Sequence, residues 1–557
     1  MEPVKIKILG ISCGHRKGRN TAWMTLCALK AAEKACRRMD GMVDIEIELI
    51  DFAERKMKPC IDCVASCETD ADDYECLIKD DYIATELIPR MIEADGFVFG
   101  APVFTGSYTS KFITLFERLR AHAKRGYFTN KPAVGVTTAT MLLGGQETCL
   151  GFMDICMRAV GMIPVHWLNG ATGVSGPPWG PLPGADDGTE IAAKNDRYGQ
   201  WLSTVCGRRV AEMAVIQKIA KRRLGGLYDK EFIQTYRKPQ GDADWEWTEL
   251  DKSDEKLMAG LDRGGLEALD GAVLNKPGGK GVKKPTCKIL GLSCDNIKGR
   301  DTSWLVVRSL KAVEKFGRRI ESVGGFETEF IDLADKNMRP CLNCDKRYEI
   351  PNGGIRWEGP EYPKDFGCII KNDYLAKEIL PKIAEADGFI FGSSVSAQTP
   401  SYTFRVFHER LGGVLSKIVA KGSAARKPTT NIAVAYDSNG GQESCLNMMN
   451  TCNRWLELIP ISWPQGTPAL GGGENILAKD DEKACFLSSY NARRVAEISL
   501  MFKLAEQELA GIFEREFLKI VHPPHGDASW EWTKLEKEDW DYMKSLTPDE
   551  LSKVGNA

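Results

Sequence analysis

Residues 4–11 read VKIKILGI and run directly into Ser12-Cys13-Gly14-His15-Arg16-Lys17-Gly18-Arg19-Asn20-Thr21. The first stretch is a β-branched apolar run. The second carries hydroxyls, glycines and basic side chains. It leads into residues 20–39, where Trp23, Leu26, Leu29 and Ala32 fall at helical spacing. The same opening returns as KILGLSCDNIKG at 288–299, and further matches follow it in order. MKPCIDC (57–63) pairs with MRPCLNC (338–344), and IEADGFVFGAPV (92–103) with AEADGFIFGSSV (384–395). GGQETCL (144–150) pairs with GGQESCL (440–446), and RRVAE (208–212) with RRVAE (493–497). GDADWEWT (241–248) pairs with GDASWEWT (526–533). Matches this far apart and in one order mark a tandem duplication of a large unit, not a short solenoid repeat.

Within each copy, strands and helices alternate. In the first, VDIEIELIDF (43–52) alternates apolar and polar at period two, a strand signal. Helix is expected at 81–94, strand at 96–102, helix near 108–122, strand at 133–138, helix at 146–160 and strand at 163–167. A long helix follows near 190–223. The Gly/Pro-rich stretch 170–190 reads as loop. Five strands alternating with helices predict a doubly wound parallel sheet in each copy, covered on both faces. Ligands then sit outside the carboxyl ends of the strands. The expected domains are 1–270 and 287–557, each with a helical extension. Between them lies a linker at 271–286, rich in Gly, Pro and Lys.

The chain has 557 residues, 74 Lys and Arg against 77 Asp and Glu, and a formal net charge of −3. That balance argues against a general binder of nucleic acid or anionic membrane. No secretory leader or apolar run of membrane-spanning length is visible. With 18 cysteines in a chain of this length, a disulfide scaffold is not expected. A reduced, cytoplasmic setting is expected instead.

Three strand-end loops of the first copy are rich in Gly, Ser and Thr. The first, 12–21, offers backbone N–H groups and basic side chains at a helix start, an anion site; the blander reading is a helix capped by Asn20 or Thr21. It is neither a dinucleotide nor a nucleoside-triphosphate fingerprint. The second loop holds Pro102, Val103, Phe104, Thr105 and Gly106. The third runs from Thr138 to Gly144, Gly145 and Gln146. Together they suit a ligand with a phosphate and a flat ring. The ordered set G-I-S-C-G-H-R-K-G-R-N-T, K-P-C-I-D-C, E-A-D-G-F-V-F-G-A-P-V and G-G-Q-E-T resembles the NADPH-dependent FMN reductase and iron–sulfur flavoprotein family, over roughly 4–168 and 287–464. The resemblance implies a flavodoxin-like fold in each copy. It implies FMN held by its phosphate at Ser12, Arg19, Asn20 and Thr21, with the isoalloxazine against Pro102–Gly106 and the 138–146 loop.

Cys60, Cys63, Cys67 and Cys76 form C-x2-C-x3-C-x8-C. Four thiolates in so short a loop suit a [4Fe–4S] cluster or zinc. Free thiols packed near the flavin are the third reading. The iron–sulfur branch of the family usually opens this motif C-x2-C-x2-C, so the second gap departs by one residue. The second copy carries Cys341, Cys344 and Cys368 and lacks a counterpart of Cys67, which disfavours a cluster there. Cysteines on apparent helices, such as Cys27, Cys149 and Cys206, read as core. Glu117-Arg118 and Glu409-Arg410 read as structural ion pairs. The paired Trp245/Trp247 and Trp530/Trp532 read as packing residues of the extensions.

The copies are not equal. Gly14, His15, Arg16 and Asn20 become Asp295, Asn296, Ile297 and Asp301, which adds two carboxylates beside the expected phosphate and removes an Arg. A weakened second flavin site is expected; the alternative is that those carboxylates face solvent or cap the helix.

The leading functional expectation is an FMN-containing oxidoreductase that passes electrons from NAD(P)H to a small acceptor such as a quinone or flavin. No side chain is assigned as a catalytic acid or base. An electron-transfer protein with FMN and a cluster, fed by a ferredoxin-like redox partner, is the second expectation. A non-catalytic assembly module is the third. The fused copies are expected to pack as an intramolecular pseudo-dimer, with homo-oligomers as a further option.

Overall fold

The fold is described from a computed structural model, for residues 2–63, 76–140, 144–166, 171–174, 191–234, 249–277, 284–342, 370–420, 427–472, 475–517 and 535–554. The first copy runs β1 (Val4–Ser12), α1 (Asn20–Arg37), β2 (Val43–Asp51), α2 (Ile88–Glu93), β3 (Gly96–Pro102), α3 (Ser110–Lys124), β4 (Pro132–Ala139), α4 (Gln146–Ala159), β5 (Ile163–Pro164), β6 (Ala171–Val174), α5 (Arg197–Leu224) and α6 (Gly226–Glu231). An extension follows with α7 (Lys252–Gly260), α8 (Arg263–Ala268) and β7 (Val273–Asn275). The second copy runs β8 (Thr286–Ser293), α9 (Asp301–Arg319), β9 (Gly325–Asp332), α10 (Leu380–Glu385), β10 (Gly388–Ser396), β11 (Thr399–Pro400), α11 (Tyr402–Ala420), β12 (Pro428–Ala435), α12 (Gln442–Trp455), β13 (Ile459–Pro460), β14 (Thr467–Leu470) and α13 (Glu482–Glu508). It closes with α14 (Ile512–Glu516), α15 (Lys537–Ser545) and α16 (Pro548–Val554).

The first sheet has the order β2-β1-β3-β4-β5, all parallel, with β6 also paired to β4. The second repeats it as β9-β8-β10-β12-β13, with β14 beside β12. This is the flavodoxin-like order, whose direction of winding reverses between the first and third strands. Two additions were not foreseen. Strand β6 lies inside the stretch read as loop, and β7, within 271–286, pairs antiparallel with β9. The residues that form β6 are too few and too glycine-rich to signal a strand; its partner β4 supplies the backbone bonds.

The inner faces of the two sheets share one apolar core. Helix α1 packs on α5, α9 on α13, and α5 on α13. Buried Trp23, Leu29, Val210, Ile216, Val307, Leu310, Val495 and Leu500 therefore belong to one cluster spanning both copies. The outer face of each sheet has its own core, around Phe97, Phe99, Phe112 and Met153 in the first copy and Phe389, Phe391 and Phe404 in the second. The copies also meet through buried polar groups. Arg158 donates to the carbonyls of Pro460 (2.7 Å) and Ser462 (3.2 Å), and Arg454 pairs with Asp154 at 2.5 Å. This is an intramolecular pseudo-dimer.

The extensions cross over. Trp23 of α1 donates its indole N–H to the carbonyl of Met543 in α15, and Trp304 of α9 donates to Met258 in α7, both at 2.9 Å. Arg308 of α9 forks onto Glu255 at 2.8 and 2.9 Å, while Arg37 pairs with Asp539. Each copy's extension is thus seated on the other copy.

Candidate functional site

The site of the first copy lies at the carboxyl ends of β1, β3 and β4. Backbone bonds weld the loops together: Cys13 N–H donates to Gly100 O at 2.7 Å and Val103 N–H to Thr138 O at 2.8 Å. The Thr21 and Thr138 hydroxyls are joined at 2.9 Å, so the anion loop and the third loop share a hydrogen bond. The Thr109 hydroxyl, which caps α3, donates to Cys13 O at 2.8 Å.

The loop 13–19 is hung from a buried carboxylate that the sequence reading passed over. Asp51, at the end of β2, accepts from Gly18 N–H at 2.8 Å and Ala53 N–H at 3.1 Å. Burial raises its pKa and these N–H donors pull against that shift. Its signal was present in the sequence: an Ile-Asp pair ends both β2 and β9. Lys111 was also passed over. Its ammonium donates to the carbonyls of Phe52 and Ala53 beside the loop, and burial lowers its pKa.

Ser12 is buried at the tip of β1, and Thr21 is buried in the first turn of α1. Arg19 stands in extended backbone as the residue before the helix, so neither Asn20 nor Thr21 is the cap. The Arg19 Nη1 atom is buried and has no hydrogen-bond partner. A buried guanidinium N–H left unpaired is costly unless an acceptor arrives, and Arg19 directly precedes α1, whose first N–H groups favour an anion. Asn20 is different. Its Oδ1 accepts from Ala193 N–H at 2.9 Å, which ties α1 to the 3-10 turn Ala192–Asn195.

Phe104 to Ser107 form a tight two-residue turn, closed by N–H to carbonyl bonds of 2.8 and 2.9 Å, with Thr105 and Gly106 both at positive φ. The turn leaves Phe104 half exposed, its ring edge-on to His15 with centroids 5.3 Å apart. Gly145 abuts Gly106 so closely that a Cβ there would lie 2.8 Å from the Gly106 Cα. Gly144 and Gly145 lead into α4 and Gln146 is buried at its start. The loops that carry the phosphate-type and ring-type residues therefore touch at one end of the sheet, and Asn20 at the start of α1 has its Oδ1 engaged by Ala193.

The cysteine segment borders the same end of the sheet. Cys60, Cys63 and Cys76 are half-buried and unbridged; Cys67 lies outside the described residues. Arg118 Nε lies 3.2 Å from Cys76 Sγ, and Arg118 also binds Lys58 O (2.9 Å) and Ile78 O (2.8 Å). Of the second copy's trio only Cys341 is described. Trp245, Trp247, Trp530 and Trp532 also fall outside.

The family model described as NADPH-dependent FMN reductase matches residues 6–169 and 287–467. Those spans make up more than half of the chain, which belongs to that family and is a flavin-dependent oxidoreductase of it. An iron–sulfur flavoprotein of Methanocaldococcus jannaschii is 30% identical over 218 residues, covering 38% of this chain and all of that protein. The iron–sulfur flavoprotein of Methanosarcina thermophila is 29% identical over 161 residues, covering 29% of this chain and 77% of its own length. Among solved structures, RosB with a bound flavin intermediate covers 43% of this chain and 93% of itself, at 16% identity and a TM-score of 0.28. Among the described residues, no helix is long and apolar enough to cross a membrane.

Proposed function

We propose that the first copy holds FMN and that the chain passes electrons from NAD(P)H to a small acceptor such as a quinone or a free flavin. The observation that carries this is the meeting of the three loops, through the Thr21–Thr138 hydroxyl bond and the His15–Phe104 ring contact, with Arg19 Nη1 buried and unpartnered at the residue before α1. The residues present fit the group: a cation and helix N–H groups for a phosphate, and an apolar, glycine-bearing shelf for a ring.

FMN supplies the hydride and electron chemistry, and the protein supplies binding, orientation and electrostatics. Asp51 holds the loop 13–19 in its anion-ready shape through Gly18. Arg19 takes a phosphate oxygen, and the Thr21–Thr138 pair fixes the gap between the phosphate and ring loops. Phe104 and Val103 wall the ring and limit water on that side. No described side chain in the cleft is needed as an acid or base.

A second reading is favoured by the relatives' names as iron–sulfur flavoproteins and by Cys60, Cys63 and Cys76 at either end of one segment. The donor set fits a cluster: thiols, with Arg118 Nε holding Cys76 Sγ at 3.2 Å. There the chain relays electrons between a protein donor and the flavin. Anaerobic purification with flavin and iron counted per chain, followed by titration with NADPH, NADH and reduced ferredoxin, separates the two. Bleaching of the flavin by a pyridine nucleotide supports the first. Bleaching by reduced ferredoxin alone, with iron present, supports the second. A chain that takes up no FMN overturns both.

A further inference from the structure

The two anion loops share one frame. Gly299 N–H donates to Asp332 at 3.0 Å as Gly18 does to Asp51, and Cys294 N–H donates to Gly392 O at 2.7 Å as Cys13 does to Gly100. Ser401 donates to Cys294 O as Thr109 does to Cys13. Inside that frame the contents differ. The first loop has Gly14, a Thr21 hydroxyl bound to Thr138, and the unpartnered Arg19 Nη1. In the second, Asp295 takes the place of Gly14. Its Oδ2 accepts from the Thr302 hydroxyl at 2.8 Å and its Oδ1 from Asn296 N–H at 2.6 Å. Asn296 in turn bonds Thr403 at 3.2 Å, the position held by Lys111 in the first copy. Asp295 itself is 8% exposed. The helix start that would draw a phosphate already has a carboxylate of the chain's own, and the basic Arg16 and Lys111 are Ile297 and Thr403 here.

The other added carboxylate does a different job. Asp301 accepts from Ala478 N–H at 2.8 Å and Gly472 N–H at 3.0 Å, the role that Asn20 plays toward Ala193. It ties α9 to the 3-10 turn Leu477–Asp480 and is spent there. The ring shelf is altered as well. Gln398 replaces Gly106, and its side chain crowds Gly441, where a Cβ would lie 2.7 Å from Gln398 Cγ.

We propose that Asp295 is an internal anion seated where the cofactor phosphate would bind, so that the second copy refuses phosphate-bearing flavins and the chain carries one FMN. This rests on the reading of the first copy as the FMN site.

The test is the FMN-to-chain ratio of the full chain after dialysis against excess FMN, measured for the parent and for Asp295→Gly, Asp295→Asn and Asp301→Asn. The parent and Asp301→Asn should hold one FMN. Asp295→Gly and Asp295→Asn should each bind a second, at least tenfold tighter than any residual second binding in the parent. The first FMN reports that each variant is folded. Arg19→Leu should lose the parent's single FMN and Arg300→Leu should keep it. Two FMN in the parent overturn the proposal. So does a second-site affinity unchanged in both Asp295 variants, a gain on Asp301→Asn, or loss of the single FMN in Arg300→Leu. No FMN in any form overturns the flavin reading of the first copy itself.

Discussion

Arg118 Nη1 donates to Asp81 Oδ2 at 2.8 Å, with both side chains sealed from solvent at 0% and 3% exposure. Arg410 and Asp373 repeat the pair at 2.6 Å in the second copy. In each, the same arginine also holds the carbonyl of the residue before the Pro-Cys of the cysteine segment, Lys58 or Arg339. The ion pair is a clamp on the base of that segment.

Removing one partner of such a pair strands a buried charge. Arg118→Leu and Arg410→Leu should each destabilise their copy by about 3–5 kcal/mol in urea denaturation. Only Arg118→Leu should also lower the iron or thiol-reactivity signature of Cys60, Cys63 and Cys76. Equal effects of both variants on that signature would separate the clamp from the cysteines.

If the four cysteines hold a cluster, Cys76→Ser should abolish iron uptake on anaerobic reconstitution, while Cys341→Ser leaves it unchanged. The measurement is iron and sulfide per chain. Iron retained in Cys76→Ser would remove this thiol from the ligand set.

Gly18 sits at φ 61°, and a Cβ there would lie 2.0 Å from the Pro548 carbonyl oxygen in α16. Backbone cannot yield as a side-chain tip can. Gly18→Ala should therefore push α16 off the anion loop, cost on the order of 2 kcal/mol, and weaken FMN binding. Gly299→Ala meets Arg263 O at the looser distance of 2.8 Å and should cost less. Hydrogen exchange at 548–554 is the local readout.

Glu497 is fully buried between the copies. Burial pushes its carboxyl up to about 7, against the pull of Arg493 and of the Ile233 N–H, and its Oε2 has no hydrogen-bond partner. The folded state thus holds a proton that the unfolded chain, with its carboxyl near 4.5, releases earlier. Stability from this group is complete below pH ~4.5 and is lost as pH rises toward about 7, a fall of up to about 3 kcal/mol. Glu497→Gln should flatten that limb of a stability-against-pH curve. An unchanged limb would assign it to other groups.

The duplication and the parallel sheets were legible because they rest on local pattern: β-branched runs, helical spacing, and glycines and hydroxyls at strand ends. Three features were not. The helix start suggests Asn20 as a cap, yet Arg19 holds that place and Asn20 Oδ1 accepts from Ala193, 173 residues away. The same distance hid the fate of Asp301, whose partners lie beyond residue 470. Asp295 was visible as a charge, but whether it faced solvent or the loop depended on the Thr302 hydroxyl turning toward it. Long-range partners decide such cases, and no periodicity encodes them.

The crossed extensions carry one more consequence. Met543 and Pro548 belong to the second half of the gene but serve the first half of the fold, so neither half is a self-sufficient product. Severing the chain between the copies should leave the two fragments gripping each other, since the handclasp does not run through the cut. It also makes the halves unequal in what they can lose. The second half stays indispensable as the donor of an arm, whatever happens to its own pocket. A fused pair of this kind can let one active centre decay and still preserve every residue that supports the other.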